Sequence, residues 1–223
     1  TDLHECLGHG SGKLLPDVDS EALRSYGSTI EEARADLFGL YYIADPKLVE
    51  LNLTPDAEAY KAQYYSYLMN GLLTQMIRIE EGQQLEEAHM RNRALISNWV
   101  LEHYPTAVQI VCKNGKHFVC ISNYPLLRRA FGELLAEVQR IKSEGDFEAG
   151  RILVEKYAVK VDPELHQEVL ARYEALDLAQ SIFVICRHFG RAVDHGGAHF
   201  GHTAVGKGLD DDLPTDTVGV ALC

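Results

Sequence analysis

The chain has 223 residues, 46% hydrophobic and 24% charged, enough for one substantial core or two small ones, and no apolar run is long enough to span a bilayer. Thirty-three acidic against 21 basic residues leave a net charge of −12, which opposes the phosphate-neutralising surface that nucleic-acid binding requires, so neither nucleic acid nor membrane is an expected partner. Five cysteines (Cys6, Cys112, Cys120, Cys186 and Cys223) are odd in number and irregularly spaced. They fit a reducing, cytoplasmic compartment better than a disulfide framework, although Cys112 and Cys120 stand where they could face each other across a hairpin.

The chain opens at Thr1 with no methionine and reaches its most chemically loaded segment within nine residues, which suggests a missing N-terminal portion. Residues 1–9 read as the end of a helix, stopped by Gly10, Ser11 and Gly12. A second helix is expected from Thr29 to Ile43, opened by a capping box of Ser28 and Glu31 and ended ahead of Pro46. Tyr60, Tyr64, Tyr67, Leu68, Leu72 and Met76 recur at helical intervals and predict one long buried helix over 57–79. Another follows from Leu85 to His103. In AVQIVCKNGKHFVCIS, two β-rich runs flank Asn114 and Gly115, which favour the positive φ of a type I′ turn, so a hairpin is expected near residues 107–121. Helices then run over Leu126–Lys142, from Asp146 through Tyr157, and from the Asp162 and Pro163 cap to Leu176. The expected fold is mainly α with one hairpin, a helical lobe over 1–178. Over 179–223, glycines surround His195, His199 and His202 without periodicity, which predicts a poorly ordered tail rather than a second metal site.

His4, Glu5 and His9 carry the chemistry. HECLGH is one residue longer than the HExxH zinc motif: two imidazoles suit a divalent ion, and a carboxylate beside the first can take a proton from water. At roughly 100° per residue an i,i+5 pair lies about 140° apart on a regular helix, so a one-turn π-bulge must absorb the extra residue, with Gly8 supplying backbone latitude. Glu32 and Asp36, in EEARAD, share a face of the next helix and offer a third ligand. Residues alone leave a second reading open: His4 and His9 as unrelated histidines, Glu31 as a cap, and Arg34 pairing with solvated acids.

HECLGHGSGKL followed by EEARAD resembles the paired signature of the dipeptidyl peptidase III family of zinc metallopeptidases. EEAHMRNR and KSEGDFEAGRILVEKY resemble later helices of that family, so the likeness covers roughly residues 1–178. The resemblance implies one Zn2+ held by His4, His9 and Glu32, with Glu5 as general base and with Glu31 and Asp36 holding the histidines from behind. It also implies that His89 stabilises the transition state and that Arg93 shapes the substrate site; without it, a lone His and Arg on a helix are more often a solvated face. The expected activity is a zinc-dependent exopeptidase that releases dipeptides from the N-terminus of short peptides. Its rival is a catalytically inactive, zinc-binding helical fragment that lacks the substrate lobe.

Overall fold

The structure, a computed structural model, describes residues 2–176. The expected lobe boundary at 178 and the tail with its three histidines lie outside the described residues. The described fold is mainly helical with one antiparallel hairpin. In order, a π-helical segment spans Leu3–His9, a 3-10 turn Arg24–Tyr26, α1 Gly27–Ile43, α2 Pro46–Glu50, α3 Ala59–Leu72, a 3-10 turn Thr74–Arg78 and α4 Ala88–His103. Then come β1 Val108–Lys113, β2 Lys116–Ile121, α5 Tyr124–Glu144, α6 Phe147–Tyr157 and α7 Pro163–Glu174.

Helix α1 is the axis of the molecule. Ile30, Ala33, Leu37 and Leu40 repeat at helical intervals and are buried among α4, α5 and the π-helical segment. Tyr64 and Leu68 of α3, Leu95 and Ile96 of α4, and Leu127, Phe131 and Leu134 of α5 complete one continuous core. Each large apolar side chain there contributes about 1.5–3 kcal/mol by leaving water. Tyr64 also satisfies its hydroxyl by donating to the Leu40 carbonyl at 2.8 Å.

The hairpin forms as its sequence predicts. Asn114 and Gly115 take φ of 55° and 73°, both left-handed, and the strands pair from Val108 opposite Ile121 to Lys113 opposite Lys116. That register puts Cys112 opposite His117 and Cys120 opposite Gln109, so the two cysteines lie on different faces and do not confront each other. Asp146 and Asp162 cap α6 and α7 through Ala149 N–H and Leu165 N–H. Gly145 ends α5 in the left-handed region at φ 65°, and Asp146 N–H reaches back to the Ile141 carbonyl, so one tight joint ends α5 and starts α6.

Three expectations about the helices need correction. The helix expected over 57–79 is broken at Leu73, and its last part is a 3-10 turn. The buried His166 of α7 faces the carbonyls of Met76 and Ile79 at 3.0 and 3.1 Å, and this tertiary contact outweighs helical periodicity. Helix α4 starts at Ala88, not Leu85, because the Glu87 carboxylate accepts from His89 and Met90 N–H as N-cap. As expected, α1 stops at Ile43 ahead of Pro46; Pro46 itself opens the short helix α2, with Asp45 capping through Lys47 N–H. Finally, Ser28 and Glu31 form no capping box: α1 begins at Gly27 without a side-chain cap, and Glu31 is engaged elsewhere.

Candidate metal centre

The π-helical segment is built on five-residue spacing. Gly10 N–H donates to the Glu5 carbonyl at 2.9 Å, and the wider ring places His4 and His9 on one face. The π geometry extends over all seven residues of Leu3–His9, more than the single bulge expected. Their imidazoles meet edge to face with ring centroids 4.7 Å apart and the two Nε2 atoms 3.1 Å apart.

Close packing on α1 brings these rings to the carboxylates. A Cβ on Gly8 would lie 2.6 Å from Ala35 Cα, so only glycine permits this approach. Arg34 locks it: its guanidinium is fully buried and donates to the Gly8 carbonyl at 2.8 Å, to both Glu31 oxygens at 2.8 and 3.0 Å, and to Ser11 and Gln139. The idea that Arg34 pairs with solvated acids is therefore wrong. Gly8→Ala is expected to cost about 1–3 kcal/mol through overpacking against backbone. Thermal melts of the metal-free variant check this, and an unchanged midpoint would show that the segment shifts freely.

Each imidazole is held from behind by a carboxylate. His4 Nδ1 lies 2.7 Å from Asp36 Oδ1, and His9 Nδ1 lies 2.9 Å from Glu31 Oε1. A carboxylate only accepts, so each Nδ1 carries the proton and each Nε2 presents a lone pair. Burial pushes the Glu31 carboxyl up, but hydrogen bonds from Arg34, Lys142 and His9 outweigh it and hold the pKa at about 2. Tyr67, read from the sequence only as a core position, donates to Asp36 Oδ2 at 2.9 Å.

The third side chain of the cluster is Glu32. Its Oε2 lies 3.5 Å from His4 Nε2 and its Oε1 3.7 Å from His9 Nε2, both beyond a good hydrogen bond. Glu32 Oε2 is buried and has no hydrogen-bond partner among the described residues, although His89 Nδ1 stands 3.2 Å away. Two facing lone pairs and an orphaned carboxylate oxygen are costly unless positive charge sits among them. A proton shared between the rings relieves only the first; a cation at the common point of His4, His9 and Glu32 relieves both. Among the described residues, this is the one group of His, Cys, Asp and Glu side chains that could hold a metal ion.

The remaining expected residues surround this cluster loosely. Glu5 is exposed on the π-helical segment. His89 is 56% exposed at the N-terminus of α4, at the rim of the donor set. Arg93, one turn further along, is half-buried and makes no hydrogen bond or ion pair among the described residues. Nothing in the residue spacing signals the support by Tyr67 and Lys142; the i,i+3 spacing of Glu31 and Arg34 is the available clue to the Arg34 clamp.

Comparisons with known proteins agree with this architecture. The model of peptidase family M49 matches residues 18–175, a stretch that includes Glu31, Glu32, Asp36, His89 and Arg93. Dipeptidyl peptidase 3 of Homo sapiens is 30% identical, and that of Mus musculus 29% identical, each over 79% of this chain. The chain spans about 30% of the length of these relatives. A solved structure of DPP III from Caldithrix abyssi superposes with a TM-score of 0.56 at 25% identity, over 75% of this chain and 30% of that one. No described helix is long and apolar enough to cross a membrane. With a family model matched over residues 18–175, most of its length, the chain belongs to peptidase family M49.

Proposed function

We propose that this chain carries the zinc centre of a dipeptidyl peptidase, which releases dipeptides from the N-terminus of short peptides. The observation that carries the proposal is the donor set: two Nε2 lone pairs 3.1 Å apart beside a buried Glu32 oxygen that has no hydrogen-bond partner among the described residues. In a tetrahedral zinc site, bonds of about 2.0–2.1 Å put donors about 3.3 Å apart. His4 Nε2 lies 3.1 Å from His9 Nε2 and 3.5 Å from Glu32 Oε2, both close to that value, and the other Glu32 oxygen lies 3.7 Å from His9 Nε2. Two histidines and one glutamate leave a fourth position open, as in catalytic rather than closed sites.

Bound zinc supplies Lewis acidity toward water and the scissile carbonyl. The protein does the rest. Glu5, adjacent to the first ligand and exposed to incoming water, takes the water proton on its carboxylate and passes it to the leaving amine. His89 stands at the rim with Nδ1 toward Glu32 and offers a donor to the developing oxyanion. Arg93, on the same face one turn on, shapes the substrate side of the cleft. Glu31 and Asp36 fix the Nδ1–H tautomers, so that both Nε2 atoms stay available as ligands.

One observation favours a second reading, a zinc-binding fragment without turnover: the donor atoms converge, while Glu5 and Arg93 stand outside the group they form. Elemental analysis and an unblocked-peptide assay on the same purified chain separate the two. One zinc per chain with dipeptide release supports the peptidase; one zinc without release supports the fragment. Protein purified without chelator that carries no metal and takes up none overturns both.

A further inference from the structure

The two histidines of the cluster are held by unlike supports. Behind His9, Glu31 receives a buried guanidinium from Arg34 and the ammonium of Lys142. Behind His4, Asp36 makes no ion pair with lysine or arginine among the described residues. Its second oxygen is instead met by a neutral phenol, Tyr67 of α3. Two short contacts in series, 2.9 Å from Tyr67 to Asp36 and 2.7 Å from Asp36 to His4, join the core of the bundle to the metal-facing imidazole.

An aspartate side chain that is anchored through one oxygen only can rotate about its terminal bond, and the imidazole it supports rotates with it. Tyr67 removes that freedom. Its ring sits on α3 one turn from the buried Tyr64 and is packed against the main core, so its hydroxyl arrives at a fixed point. Burial, followed by the charge of Asp36, pushes the phenol pKa well above its usual value, so the group stays a donor. A donor on Oδ2 leaves Oδ1 to accept from His4 Nδ1, and this holds the Nε2 lone pair toward Glu32 and His9.

We infer that Tyr67 is a positioning residue for the metal centre, acting through Asp36 to fix the tautomer and direction of His4. The inference rests on the metal-centre reading for its affinity arm only. Tyr67→Phe keeps the ring and removes the hydroxyl. In the full chain it is expected to weaken Zn2+ binding about tenfold, the lower end for loss of a group supporting a ligand, as read by competition with a chromophoric chelator. In an Asp36→Ala background the hydroxyl has nothing to hold, so the same change is expected to cost no further affinity.

Long-range 15N–1H spectra of the metal-free protein give a second readout that a purely structural role does not move. His4 is expected as the Nδ1–H tautomer in the wild type and as a mixture in Tyr67→Phe. Equal losses of affinity in both backgrounds, or wild-type affinity and an unchanged His4 tautomer in Tyr67→Phe, overturn the assignment. Should the wild-type chain bind no zinc, the metal reading fails by itself. The His4 tautomer then decides: a mixture in Tyr67→Phe supports the assignment, and an unchanged tautomer overturns it.

Discussion

Arg34→Met is expected to destabilise the metal-free protein by about 3–5 kcal/mol, the range for removing one member of a buried charged network. Arg34 is fully buried, and its guanidinium serves the Gly8 carbonyl, both Glu31 oxygens, Ser11 and Gln139. Methionine fills most of the volume, so cavity formation is a minor part of the loss. The larger part is the Gly8 carbonyl left without its donor and Glu31 left with Lys142 and His9. For a domain whose whole stability is about 5–15 kcal/mol, such a loss is readily measured by urea unfolding. Zinc affinity is expected to fall as well, since Arg34 ties the segment that bears both histidines to the helix that bears Glu32. Arg34→Lys is expected to recover little, because an ammonium cannot reach this planar set of acceptors. A loss below about 1 kcal/mol would mean that water replaces the guanidinium, against the idea of a clamp.

Glu5→Gln is expected to leave zinc stoichiometry unchanged and to lower dipeptide release by about 100- to 10,000-fold, the usual contribution of a general base. The amide keeps the shape and loses the proton acceptor, and Glu5 contributes no atom to the His4, His9 and Glu32 cluster. Zinc content and turnover, measured on the same samples, separate chemistry from metal loss. Wild-type rates in the variant sink the assigned mechanism; loss of zinc would mean that Glu5 supports the site instead of acting on water. Glu32→Gln forms the contrasting case, where metal affinity is expected to fall first.

Much of the scaffold was legible because local chemistry decided it. Asn114 and Gly115 demanded a left-handed turn, and Asp146 and Asp162 offered caps that the helices took up, Asp146 keeping its second oxygen for Arg140. Expectations failed where a distant group had the stronger claim. His166, about 90 residues away along the chain, takes the carbonyls of Met76 and Ile79 and ends the helical run that periodicity had extended. Glu31 is drawn from capping to His9, Arg34 and Lys142. At the candidate site, the spacing of His4 and His9 announced a widened turn, and Glu32 and Asp36 announced a shared face. What spacing could not reveal was depth: that Arg34 is fully buried, or that Tyr67, one of several tyrosines on an apolar stripe, spends its hydroxyl on Asp36.

The π geometry of Leu3–His9 bears on how such centres are found and altered. Which histidines share a face is decided by the size of the backbone ring, so a residue can be gained without moving either ligand if the ring widens to match. Leu7, 40% exposed between the two histidines, is the natural surplus residue: it offers no donor atom and is not part of the hydrophobic core. Its deletion would return the pair to four-residue spacing on an ordinary α-helix, with both rings again on one side. Two histidines four apart and two histidines five apart are then alternative spellings of one donor geometry, and a search keyed to the shorter spelling passes over proteins built like this one.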